Sequence, residues 1–187
     1  MVRNCRIEGG FCFLLAACLL LIPLKWIGAM FFAAAFHELC HAMMAQILGV
    51  KILAMYADWL GIQMDLSPME RGEELLIASA GPVGSFLLLI FVKICPEITV
   101  CGLVQGMFNL LPIWPLDGGR ILSGLFPGKE KLHRFVEFVT AIGLMGIGIW
   151  LLLFRHMGIG PLFLWGIVTV KAFRRKIPCI AGKLRVQ

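Results

Sequence analysis

The sequence predicts an all-α polytopic membrane protein with about six transmembrane helices, and three observations support this prediction. Of the 187 residues, 60% are hydrophobic and only 15% are charged. The mean hydropathy of +0.91 implies more apolar surface than a soluble domain of this size can bury. Apolar runs of near-spanning length recur along the chain and alternate with charged loops. The lipid bilayer is therefore the expected solvent.

Six apolar segments are the candidate transmembrane helices. They cover approximately residues 7–24, 26–50, 75–94, 98–111, 135–154 and 158–173. A straight crossing takes about 20 residues, so the first, fourth and last segments are expected to be tilted, broken or partly inserted. After the second segment, residues 51–65 carry β-favouring side chains on both sides of Gly61. This stretch predicts either a short β-hairpin or an irregular loop at the membrane face.

The distribution of basic residues predicts the orientation of the chain. With six crossings, both termini and the loops 51–72 and 112–134 lie on one side, and this side holds most of the 17 Lys and Arg residues. The positive-inside rule then places both termini in the cytoplasm of a multi-pass protein of the cell membrane. The formal net charge of +6 is thereby explained by topology and by contact with anionic lipid, without a nucleic-acid partner.

Three polar residues interrupt the second apolar segment in the sequence FHELCHAMMA, residues 36–45. Ionisable groups inside a membrane are costly to desolvate and usually have a function. On a helix, His37 and His41 project from one face one turn apart, with Glu38 about 100° around the axis. This H-E-x-x-H pattern is typical of a zinc site with two imidazole ligands and a glutamate that acts on water. The alternative, two histidines hydrogen-bonded within a helix bundle, leaves Glu38 without a role.

A catalytic zinc ion requires a third protein ligand, and the best candidate is Asp117 in FNLLPIWPLDGGR, residues 108–120. Pro112 and Pro115 cannot continue a helix, so the fourth segment is expected to break and to place Asp117 on irregular backbone. Non-helical backbone at membrane depth is tolerated only where protein buries it or where it lines a cavity. A plain loop residue facing the cytoplasm is the alternative interpretation of Asp117.

The two motifs together resemble a known family. H-E-x-x-H at residues 37–41, followed by N-L-L-P-I-W-P-L-D-G at residues 109–118, is similar to the site-2 protease family of intramembrane zinc metalloproteases, peptidase family M50. Within that family the second motif looks closest to the sporulation-type enzymes that process a membrane-tethered pro-sigma factor. The resemblance covers about residues 26–125 and depends on the order and spacing of both motifs.

The resemblance implies a set of site residues. One Zn²⁺ per chain would be held by His37, His41 and Asp117. Glu38 would be the general base, and Asn109 would help to hold the substrate carbonyl.

The chain departs from the family pattern at several positions. Cys40 stands where the family often has glycine, and a small helix-packing residue is the favoured interpretation over a thiolate near the zinc. In AGPVGS, residues 80–85, Ser85 stands where asparagine is common, which puts a polar role at this position in doubt. Gly81 and Gly84 are expected to allow a close approach to the metal-binding helix.

The predicted function is that of an intramembrane zinc metalloendopeptidase. It would hydrolyse peptide bonds in or near transmembrane segments of membrane-tethered proteins, with Glu38 activating a zinc-bound water. The alternative is a non-hydrolytic membrane metal-binding protein, either a divalent-ion transporter or a pseudoprotease scaffold. A transporter should place ligands along a route across the membrane, and a pseudoprotease should lack Glu38. Another type of membrane zincin would use a downstream glutamate ligand and a large soluble part, and neither is obvious.

The predicted organisation is one membrane-embedded domain over residues 1–187. Its catalytic core covers about residues 26–125, and the last two helices with a basic tail cover 132–187. Neither a PDZ-like insertion nor a C-terminal regulatory domain is expected. The predicted partners are the lipid bilayer and a membrane-tethered protein substrate, such as an anti-sigma or pro-sigma factor.

Overall fold

The computed structural model describes residues 5–7, 19–20, 22–58 and 61–155. The chain divides into two compact units, Met1–Leu110 and Leu111–Gln187. The predicted segment 158–173 lies outside the described residues, as does most of the segment 7–24.

Helices dominate the described part of both units. The described part of the first unit contains β1 (Cys5–Ile7), α1 (Leu24–Ile47), β2 (Ile52–Asp58), β3 (Gly61–Leu66), α2 (Arg71–Leu87) followed by a short 3-10 helix (Leu88–Phe91), and α3 (Pro96–Asn109). The described part of the second unit contains α4 (Asp117–Leu125) and α5 (Glu130–Arg155).

Three helices among the described residues are long and apolar enough to cross a membrane. They are Leu24–Ile47, Arg71–Phe91 and Glu130–Trp150. The prediction of a mostly helical fold with several such helices is confirmed, and the number of six crossings stays a prediction. Helix α3 has 14 residues, and at about 1.5 Å per residue it is shorter than the hydrocarbon core of a bilayer.

The region after α1 forms a β-hairpin, which was one of the two predicted alternatives. Strands β2 and β3 pair antiparallel, with an irregularity between Ile52 and Ala54. The sequence reasoning did not anticipate β1, which pairs parallel to β2 and completes a three-stranded sheet in the order β1-β2-β3. A three-residue strand has too little hydrophobic pattern to be recognised without its partner.

Apart from Ile27, the buried residues of helix α1 are small or polar. The buried positions Ala29, Ala33, His37, His41 and Ala45 recur every four residues, so they lie on one face of the helix. Large side chains on other faces remain exposed, among them Phe31, Phe32, Leu39 and Met43. Small residues let helix backbones approach closely inside a membrane, where lipid solvates the large apolar side chains.

Helices α2 and α3 both pack against α1. At one end of α1, Lys25 Nζ donates a hydrogen bond of 2.8 Å to Glu97 Oε1, and this hydrogen bond lowers the pKa of Glu97. At the other end, Ala45, Val50 and Ile77 form a buried apolar cluster, with Leu66 of the hairpin packed against it. Both ends of α1 are thus anchored, and its central turns, which carry the H-E-x-x-H motif, face α2.

The second unit begins with an irregular turn that is followed by a helix. The position at which this helix starts corrects one prediction. The helical run ends at Asn109, as the prolines predict, but Asp117 is the first residue of α4 and not part of irregular backbone. The Leu116 N–H donates to the Ile113 carbonyl at 2.9 Å, and the Arg120 N–H closes the first helical bond to Leu116 at 3.2 Å. Pro115 lies before the helix, where its missing N–H leaves no helical bond unmade.

Candidate metal centre

The two histidines of the H-E-x-x-H motif converge on one point beside α1. Their side chains are buried, with 2% of His37 and 6% of His41 exposed. The two Nε2 atoms lie 3.1 Å apart, and the rings are nearly perpendicular, with an interplanar angle of 81°. The four-residue spacing on a helix produces this juxtaposition, since it places both rings on one face.

The second nitrogen of each ring, Nδ1, has its own partner on α2. His41 Nδ1 donates to the backbone carbonyl of Ile77 at 2.7 Å, and because a carbonyl can only accept, Nδ1 must carry the proton. His37 Nδ1 lies 2.8 Å from the hydroxyl oxygen of Ser85. Metal-binding histidines usually have such partners, which fix the tautomer and the ring orientation.

This arrangement fits a metal ion. When both Nδ1 atoms carry protons, both Nε2 atoms present lone pairs toward the same small volume. Two lone pairs at 3.1 Å repel each other unless a cation lies between the rings or one nitrogen is protonated. Neutral imidazole nitrogen is a preferred ligand of zinc.

Helix α2 approaches this pair of rings without a side chain in between. A Cβ atom on Gly81 would overlap His41 Nε2 and would lie 2.7 Å from His37 Nε2. One turn further, a Cβ atom on Gly84 would overlap the sulfur of Cys40. The expected close approach at Gly81 and Gly84 is therefore present, and the contact at Gly84 supports helix packing as the role of Cys40.

Glu38 and Asn109, the two predicted catalytic residues, lie on α1 and α3. Glu38 follows His37 directly and is half-buried. Asn109 is the last residue of α3, and its Nδ2 donates to the Gln105 carbonyl of the same helix at 3.2 Å. Their roles in catalysis stay predictions.

Asp117 begins a helix that is held tightly against the preceding turn. Asp117 is buried, with 7% of its surface exposed, and the neighbouring Gly118 and Gly119 are buried as well. A Cβ atom on Gly119 would lie 2.7 Å from the backbone nitrogen of Trp114, so glycine is required there. The Trp114 N–H donates to Glu137 Oε1 on α5 at 3.2 Å.

The three predicted ligands are His37 and His41 of the first unit and Asp117 of the second. The side chains of all three residues are buried. Two imidazoles and a carboxylate are a donor set suited to zinc, with room in a tetrahedral shell for a water molecule.

Comparisons with known proteins agree with this chemistry. Residues 91–153 match the family described as Peptidase family M50. The chain is 32% identical over 130 residues to a zinc metalloprotease of Methanocaldococcus jannaschii. This alignment covers 61% of this chain and 38% of that protein. It is also 28% identical over 156 residues to stage IV sporulation protein FB of Bacillus subtilis. That alignment covers 73% of this chain and 54% of the relative.

A solved structure matches the fold. The site-2 protease from Methanocaldococcus jannaschii aligns with a TM-score of 0.66 and 24% identity, over 93% of this chain and 92% of that chain. These matches confirm the predicted resemblance to the site-2 protease family, and the structural match establishes a common fold. The sequence alignments span about half the length, or less, of the curated relatives.

Sequence reasoning missed three contacts near the candidate ligands. The hydroxyl of Ser85 does have a polar partner, His37, although its departure from the family pattern had put a polar role in doubt. Glu137 was also missed, although a carboxylate within an apolar run of α5 was available as an indication. The Ile77 carbonyl has no sequence signature, because every residue carries one.

Proposed function

We propose that this chain is an intramembrane zinc metalloendopeptidase that cleaves membrane-tethered proteins in or near their transmembrane segments. His37, His41 and Asp117 are the proposed metal ligands, Glu38 the general base, and Asn109 a residue that holds the substrate carbonyl. Single-span and hairpin membrane proteins, with pro-sigma and anti-sigma factors as candidates, are the proposed substrates.

The observation that carries the proposal is the convergence of two buried imidazole nitrogens within an apolar helix. Their Nε2 atoms are 3.1 Å apart, and a partner on α2 occupies each Nδ1 atom. Histidines that only filled space in a helix bundle would not need glycine at position 81 to keep the space beside both Nε2 atoms open. The matches to zinc metalloproteases support the same chemistry.

The residues of the chain have distinct tasks in the proposed reaction. When bound, zinc would lower the pKa of a water molecule and polarise the scissile carbonyl. Glu38 would accept the proton of the attacking water and pass it to the leaving amine nitrogen. Asn109 would donate a hydrogen bond from its side-chain amide to the oxygen of the scissile carbonyl as negative charge develops there.

The proposal is tested by separating metal binding from turnover. Wild-type protein, Glu38→Gln and Asp117→Asn are purified, and each is assayed for bound zinc and for cleavage of tethered reporter proteins. Glu38→Gln is expected to retain zinc and to lose turnover by about 10²- to 10⁴-fold, because only the proton acceptor is removed. Asp117→Asn is expected to lower both, because a ligand charge is lost.

Glu130→Gln is the matched control, since it removes an exposed carboxylate at the start of α5. It should leave zinc content and cleavage unchanged. Wild-type cleavage by Glu38→Gln would overturn the assignment of the base. Zinc in the wild-type protein without cleavage of any reporter would instead support a non-hydrolytic metal-binding protein.

A further inference from the structure

We infer that Ser85 is a positioning residue for His37. Its hydroxyl oxygen accepts the hydrogen bond from His37 Nδ1–H and so keeps the lone pair of Nε2 directed at the metal. This inference deepens the proposed metal centre and rests on it. A side chain of α2 would then orient a metal ligand of α1.

The two imidazoles differ in how their tautomers are fixed. The partner of His41 is a backbone carbonyl, which can only accept a hydrogen bond and therefore enforces a proton on Nδ1. The partner of His37 is a hydroxyl, which can accept or donate. Metal binding through Nε2 requires the proton of His37 on Nδ1, and in that state Ser85 must accept. His37 is thus the ligand whose Nδ1 contact can be removed by replacing a side chain.

Solvent cannot substitute for this hydroxyl. Ser85 is 0% exposed, and its hydroxyl faces a ring that is only 2% exposed. Removing one hydroxyl group leaves less space than a water molecule needs. Without Ser85 Oγ, the His37 Nδ1–H would lose this acceptor, or the proton would move to Nε2 and block the metal position.

Helix α3 fixes the position of Ser85 from the other side. A Cβ atom on Gly106 would lie 3.0 Å from Ser85 Cβ, and one on Gly102 would lie 3.0 Å from the Ser85 carbonyl oxygen. The Thr99 hydroxyl also donates to the Leu88 carbonyl at 3.0 Å, which holds α3 to the end of the α2 segment. The contacts therefore run in order from α3 to Ser85 and then to His37.

The test compares three serine variants of the full chain. Ser85→Ala removes the acceptor, and Ser85→Cys keeps the side-chain volume but offers only a weak acceptor. Ser79→Ala is the control, because Ser79 lies on the same helix and its hydroxyl only donates to the Leu75 carbonyl at 2.8 Å. Zinc affinity is measured by competition with a chelator, and the absorption spectrum of bound Co²⁺ reports ligand geometry.

Both Ser85 variants are expected to bind zinc about 10- to 100-fold more weakly than wild type and to alter the Co²⁺ spectrum. Ser79→Ala should match wild type in both measurements. Wild-type affinity in Ser85→Cys would overturn the inference, because volume alone would then suffice. Weakened zinc binding together with absent proteolysis in the wild-type protein would support the inference and refute the proposed function. A wild-type protein that binds no zinc would refute both.

Discussion

The histidines lie in the middle of α1, a helix of 24 residues, whereas Asp117 begins α4, a helix of nine residues that follows an irregular turn. In the histidine region, helix geometry sets the spacing of the two rings, and hydrogen bonds of 2.7 and 2.8 Å to α2 set their rotation. In the Asp117 region, the turn over residues 110–116 sets the direction in which the helix starts. One region derives its precision from regular structure and the other from a specific turn.

Both regions nevertheless use glycine for the same physical purpose. Gly81 lets α2 approach the two imidazoles, and Gly119 lets the first turn of α4 approach the backbone of residues 113 and 114. The atoms approached differ, because Gly81 faces side-chain rings and Gly119 faces backbone. Protein interiors are close-packed, so an added methyl group at either position must displace something.

The largest effect is expected from Gly81→Ala. Its methyl group would occupy the space beside both Nε2 atoms, so zinc binding and proteolysis should fall below detection while the helix itself persists. Gly72→Ala on the same helix is the control, since nothing lies within 4 Å of the added atom. Metal analysis of both purified variants checks this prediction, and normal zinc content in Gly81→Ala would contradict the geometry of the site.

A smaller effect is expected from Gly119→Ala. The methyl group would press on the backbone at Ile113 and Trp114, and overpacking of this kind costs about 1–3 kcal/mol. If that strain displaces Asp117, zinc affinity should fall by about 10- to 100-fold. Gly143→Ala in α5 has open space around it and should bind zinc like wild type. A chelator titration distinguishes the two variants. Equal affinities would show that the turn accommodates the added methyl group at position 119 without moving Asp117.

The smallest effect is expected at Glu137, whose carboxylate accepts a hydrogen bond from the Trp114 N–H. Glu137→Leu removes the acceptor and should weaken zinc binding about three- to ten-fold, the equivalent of one ordinary hydrogen bond. Glu137→Gln keeps a carbonyl oxygen and should stay near wild type. The same chelator titration measures both variants. Equal losses in both would indicate that the negative charge matters more than the hydrogen bond.

The sequence was most informative where the pattern was local. The H-E-x-x-H motif lies within five consecutive residues, so helix periodicity predicted that both histidines share one face. The hairpin is formed by neighbouring strands, and strand-favouring residues predicted it as one of two alternatives. The break before Asp117 followed from the prolines, although the immediate restart of a helix at Asp117 did not. The pairing of β1 with β2 joins residues that are far apart in sequence and was missed for that reason.

The sequence by itself therefore predicted a lipid environment, the helical character, the pair of imidazoles on one helix face and Asp117 as the candidate third ligand. Hydropathy and residue spacing encode these features locally. Only the tertiary structure decided that Ser85 and the Ile77 carbonyl orient the imidazoles, because these partners lie 48 and 36 residues away from the histidines in sequence. Their contact depends on how α2 is rotated and shifted against α1, and the packing of glycine against side chains sets that register.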